Sequence, residues 1–137
     1  MTFTPAVLFV RTGQPARFRN SDGLLHNVRV RHRTTAEGTF NVALPQGGSY
    51  EHTMPRDGIY DVGCDIHPYM SAVIFAAATP FTALVETDGT FIVRDVPPGS
   101  YTATLHGSEA PVVRPVEVGG GRTELDLTAA GSTASQP

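Results

Sequence analysis

From residue 6 to residue 127 the chain is a succession of short runs in which apolar and polar residues alternate, cut by Gly, Pro, Asn and Asp, and no window of comparable length keeps a helical period. A two-residue period suits strands with one face in a core and the other in water. The sequence therefore predicts an all-β chain of antiparallel strands. Residues 6–10 and 16–19 read as two strands separated by Gly13-Gln14-Pro15, and Asn20-Ser21-Asp22-Gly23 is turn chemistry. From His26 to His32, His26, Val28 and Val30 share one face and Asn27, Arg29 and Arg31 the other, so His26 points inward at the start of a strand. Residues 33–48 have little periodicity and read as a long loop with a short strand near 40–43. Residues 49–54 alternate again. After Arg56-Asp57-Gly58, Tyr60, Val62 and Cys64 fall on one face, which sets Cys64 at the inward end of a strand. The apolar run 72–78 suits a central strand covered on both sides.

Beyond Thr79 the rhythm shortens. Residues 83–87, 91–96, 101–105, 112–118 and 124–127 read as strands, with Asp88-Gly89 as a hairpin turn between the first two. The tail 129–137 is small and polar and is expected to be disordered. A chain of 137 residues can form one sizeable core, or a domain of roughly 80 residues with a smaller module.

The densest chemistry lies just after the predicted strand 59–64. Cys64-Asp65-Ile66-His67-Pro68-Tyr69-Met70 carries a thiol, an imidazole and a thioether within seven residues. Cys64 is the one cysteine, so no intramolecular disulfide can form, and sulfur beside imidazole with a weak thioether suits copper. His26 is the candidate for a second imidazole. His32 and His52 read as exposed strand residues, Tyr50 and Tyr60 as core, and Asp22, Asp57 and Asp88 as turn formers. His106 reads either as structural or as a neighbour of the site. All ten basic residues are Arg, and the net charge of −3 offers no basic excess for nucleic acid. No apolar run approaches the ~20 residues of a membrane span, and the N-terminus lacks the pattern of an export leader. No Ser/His/Asp arrangement, spaced carboxylate pair or phosphate-binding loop motivates an enzyme.

Four elements in order carry a resemblance: His26-Asn27 at a strand start, Gly58-x-Tyr60, Cys64-x-x-His67, and Met70 three residues on. Over roughly residues 3–78 the chain resembles the cupredoxins, the type 1 blue-copper family, and its short Cys-x-x-His-x-x-Met loop is similar to that of amicyanin. Thr87-Asp88-Gly89-Thr90-Phe91 and Val96-Pro97-Pro98-Gly99-Ser100-Tyr101 resemble the carboxypeptidase regulatory-like (transthyretin-like) β module. The resemblances imply a Greek-key β-sandwich over 1–78, an appended β module over 79–128, lacking its usual opening strands and free to complete its sheet on the first part, and the tail.

By position, the cupredoxin resemblance makes His26, Cys64 and His67 equatorial ligands of one copper per chain, cycling between Cu(I) and Cu(II), with Met70 as the weak axial ligand. It makes Asn27 a hydrogen-bonding support of the Cys loop, and Pro68 and Tyr69 an apolar docking surface for a redox partner protein. It implies a one-electron carrier rather than an enzyme, in the periplasm or secreted, its leader removed. Two other readings stay open: a copper chaperone, store or sensor holding Cu(I) without redox cycling, and a structural β interaction module with a vestigial site.

Overall fold

The structure is a computed structural model that describes residues 1–107 and 110–128; the expected disordered tail lies outside the described residues. Among them every regular element is a strand, and no helix is long and apolar enough to cross a membrane. The chain divides into two units, Met1–Thr82 and Ala83–Pro137.

The first unit contains β1 (Val7–Arg11), β2 (Pro15–Arg19), β3 (His26–His32), β4 (Gly38–Leu44), β5 (Ser49–Thr53), β6 (Gly58–Gly63) and β7 (Ser71–Ala77). Five of them form a sheet in the order β1-β7-β6-β3-β4, while β2 and β5 pair as a second sheet. The pairings are antiparallel except one: β1 runs parallel to β7, with Val7 opposite Val73 and Arg11 opposite Ala77. The all-β reading holds, with a mixed principal sheet.

Alternation selects the core. Val28 and Val30 of β3, Tyr60 and Val62 of β6, and Ile74 and Ala76 of β7 are buried together with Ala16 and Met54. Phe18 and Tyr50, from the second sheet, pack against them. Full burial of a Val, Ile or Met side chain is worth about 1.5–3 kcal/mol, and this layer holds the two sheets together. Tyr60 is fully buried, and its hydroxyl donates to the Arg56 carbonyl at 2.6 Å.

Two local readings change. The segment read as loop from residue 33 holds β4 over seven residues, because Phe40, Val42 and Leu44 keep the inward period and β3 supplies the ladder from Leu44 opposite His26 to Gly38 opposite Arg31. His32 is buried rather than exposed. It has the parity of His26, Val28 and Val30, and its ring meets Tyr60 edge-on at 5.0 Å. Its Nδ1 accepts from the Thr35 N–H at 3.2 Å and its Nε2 faces the Asp57 carbonyl at 3.1 Å.

Gly58 makes that packing possible. Its φ is +132°, and a Cβ there would lie 2.5 Å from His32 Nε2. Gly58→Ala combines backbone strain with overpacking and is expected to cost about 2–5 kcal/mol. Urea denaturation of the metal-free protein measures this; an unchanged midpoint would mean that the His32 ring moves aside freely.

In the second unit, β8 (Gly99–Leu105) and β9 (Val112–Val118) form an antiparallel hairpin from Gly99 opposite Val118 to Leu105 opposite Val112. Tyr101, Ala103 and Leu105 share its half-buried face with Val112, Val116 and Val118. The Asp88-Gly89 turn forms: the Gly89 N–H donates to the Glu86 carbonyl at 2.9 Å and the Glu86 N–H to the Thr90 carbonyl at 2.8 Å. Asp88 also reads correctly as a turn former, its carboxylate accepting from the Thr90 N–H at 3.0 Å. The runs 83–87, 91–96 and 124–127 are not strands. Alternation assigns faces, but a strand also needs a neighbour to take its backbone N–H and C=O groups.

Candidate metal centre

β6 and β7 are antiparallel neighbours, with Gly63 opposite Ser71, so residues 64–70 are the connection between two adjacent strands. Cys64 continues the inward face of Tyr60 and Val62 and is buried. His26 opens β3, the strand beside β6, with the same inward parity and is also buried. His67 is half-buried on the loop.

Three donor atoms converge there. His26 Nδ1 and His67 Nδ1 lie 3.0 Å apart, and Cys64 Sγ is 3.9 Å from the first and 3.8 Å from the second. These three residues form the metal-type cluster among the described residues. Such edges are what one ion would leave between donors bonded to it at roughly 2.0–2.1 Å for nitrogen and 2.3 Å for sulfur. The residues present fit a single soft or borderline metal, and the thiolate–imidazole mixture favours copper.

Met70 is buried at the far end of the loop, and its backbone N–H donates to the His67 carbonyl at 2.9 Å. It borders the same open recess as Cys64 and Pro68. Tyr69 and Pro68 are exposed, and the Tyr69 ring meets His67 edge-on at 6.0 Å. His106 lies in the second unit and is not a member of the cluster.

Around the donors, hydrogen bonds tie the loop and the rings to neighbouring residues. Asn27 Oδ1 accepts the Asp65 N–H at 2.6 Å and the Ile66 N–H at 3.3 Å, and lies 3.4 Å from the Cys64 sulfur. The other end of His26 rests on a residue that sequence reasoning treated as a turn former alone. Nε2 lies 2.8 and 2.9 Å from the two carboxylate oxygens of Asp22, which also accepts the Leu24 N–H at 3.0 Å. A carboxylate on Nε2 selects the Nε2–H tautomer and leaves the Nδ1 lone pair facing the other donors. The signal was present in a carboxylate four residues before the candidate histidine, but Asp before Gly already had a sufficient explanation as a turn.

The electrostatics favour a thiolate. Burial opposes the charged sulfur, yet hydrogen bonds from the Asn27 backbone, from His26 when its ring carries a second proton on Nδ1, and from the His67 backbone and ring bring the Cys64 thiol down from 9.0 to about 6. The Cys64 sulfur, followed by Asp22, holds the His26 ring above its ordinary value although burial pulls the other way. Near pH 7 the sulfur is therefore largely in the form that binds a metal. Acidification through about 6 protonates it and removes that form.

The chain shares its fold with solved structures. The chain is similar to the reduced Cu(I) form of an amicyanin mutant, at 22% identity and a TM-score of 0.50, over 56% of this chain and 73% of that one. It is also similar to a purple cupredoxin from Nitrosopumilus maritimus, at 23% identity and a TM-score of 0.48, over 54% of this chain and 80% of that one. A copper-containing nitrite reductase from Thermus scotoductus matches at 29% identity and a TM-score of 0.49, over 55% of this chain and 20% of the reductase. No protein-family model matches the sequence, and no curated protein matches it either.

Proposed function

We propose, from the cupredoxin fold and the donors it assembles, that this chain holds one copper ion at His26, Cys64 and His67 and carries single electrons. The observation that carries the reading is the convergence of two imidazole nitrogens and one cysteine sulfur, from two separate segments, on a triangle with edges of 3.0, 3.8 and 3.9 Å. Bound there, copper would supply a one-electron couple, the mixed thiolate and imidazole donors suiting both Cu(I) and Cu(II). The chain's own groups do the rest. Asp22 orients His26, Asn27 anchors the loop, and the buried Cys64 presents its sulfur already deprotonated. Met70, buried beside the same recess, would add a weaker thioether donor in this reading.

His67 is the least buried of the three donors. Tyr69, 65% exposed, and Ile66 flank it, while Leu24 and Leu25 lie exposed just before His26. An apolar rim of this kind suits the small, short-lived contacts of a redox partner protein. A carrier of this class works in the periplasm or outside the cell. The module read over 79–128, most of which falls in the second unit, is transthyretin-like in this reading, with β8 and β9 as its paired strands.

Titration of the metal-free protein with Cu(II), followed by visible absorption and electron paramagnetic resonance, tests the proposal. One equivalent is expected to produce an intense blue band and a narrow copper hyperfine splitting. An ordinary tetragonal spectrum would retire the electron-carrier reading, and colourless Cu(I) retention would favour a chaperone, store or sensor. Failure to keep any metal would leave the structural module.

A further inference from the structure

Asp65 follows the proposed ligand Cys64, and its side chain turns away from the donors onto the outer face of β3 and β4. There it meets three partners. Its Oδ2 accepts Asn27 Nδ2 at 3.1 Å and Asn41 Nδ2 at 3.3 Å, and its Oδ1 forms an ion pair with Arg29. Arg29 and Asn41 are register partners on adjacent strands, so the carboxylate bridges β3 and β4 to the loop.

Asp65 also holds the opposite end of the same amide, since its backbone N–H donates to Asn27 Oδ1 at 2.6 Å. A side-chain amide has a donor end and an acceptor end, whereas a carboxylate only accepts. Asn27 Nδ2 must therefore face the carboxylate and Asn41 Oδ1, the latter at 3.0 Å, which turns Oδ1 toward the loop. In that orientation Oδ1 accepts from both the Asp65 and the Ile66 N–H groups. Reversed, the amide would oppose donors to donors.

We propose that Asp65 is a positioning residue for the metal loop: braced by Arg29 and Asn41, its carboxylate sets the direction of the Asn27 amide and thereby fixes the backbone on which Cys64 is presented. The assignment deepens the copper reading and rests on it for its purpose. Its test, however, is made on the metal-free protein, so that the two can fail separately.

The probe is amide hydrogen exchange measured by NMR. The Asp65 and Ile66 amides report the Asn27 contact directly, and the Val62 amide, in the sheet interior, reports general stability. Asp65→Ala is expected to accelerate exchange at position 65 and at Ile66 by about tenfold or more relative to Val62. Asp65→Asn, which keeps an acceptor for Asn27 Nδ2 but loses the ion pair with Arg29, is expected to restore part of the protection. Equal exchange in Asp65→Ala and the wild type overturns the proposal. So does Asp65→Asn behaving like Asp65→Ala, because the charge would then matter and the hydrogen bond would not. Should Asp65→Ala fail to fold, Arg29→Gln releases the brace at its far end; it is expected to accelerate the same two amides selectively, and unchanged exchange there overturns the assignment. Failure of the wild type to turn blue with Cu(II) bears on the copper reading alone.

Discussion

Cys64→Ser is expected to abolish the intense visible band of the copper-loaded protein while leaving the apoprotein folded. The band requires a thiolate bonded to Cu(II), and a serine hydroxyl stays protonated and is a harder, weaker donor for copper. Structurally the change is mild. Cys64 is buried, and Asn27 Oδ1 at 3.4 Å from the sulfur can accept from a hydroxyl in its place. The loop also keeps the Asp65 and Ile66 bonds to Asn27 and the Met70 bond to the His67 carbonyl. A loss of about 1–2 kcal/mol in the metal-free protein is the order expected for a small polar substitution of this kind. Absorption of the copper-loaded variant and a urea titration of the apo variant check both halves. A blue band that survives would remove Cys64 from the site.

Asn27→Ala attacks the same loop from outside the donor set. It deletes the acceptor of two backbone N–H groups, and removes the donor that joins Asn41 and Asp65. Leaving polar groups without partners at a largely buried position is expected to destabilise the apoprotein by about 2–4 kcal/mol. Copper affinity should fall as well, by roughly 10–100-fold, the usual effect of losing a group that orients a metal's ligands. Competition with a chelator measures the affinity and thermal unfolding the stability. If both match the wild type, the loop is held by its own turns and Asn27 is a bystander.

How much of this could be read beforehand differs from residue to residue. His26, Cys64 and His67 carried parity and spacing that one strand and one short loop express locally, so their convergence was accessible. Asp65 and Asp22 were not legible as supports. Each contacts a residue whose placement depends on strand pairing or loop closure, and a carboxylate in a turn has a local explanation that conceals the distant one. His32 was misread for the opposite reason. Its inward parity was plain, but a histidine at a strand end looks like a surface residue until a glycine without a side chain is found to leave room for its ring.

The sequence by itself determined the all-β class, the inward faces of β3 and β6, and the chemical softness of the donor set. Those properties reside in residue type and a two-residue period, which a strand expresses wherever it is placed. Only the tertiary structure decided that β1 lies parallel beside β7, that β4 extends over seven residues, and that the period-two runs 83–87, 91–96 and 124–127 remain without strands. A strand is completed by its neighbour's backbone, and backbone groups are the same in every residue, so the pattern of side chains does not say which neighbour will come. The candidate metal centre stands between these limits: its residue types are written in the chain, and the 3.0 Å approach of His26 to His67 exists because β3 and β6 are paired side by side.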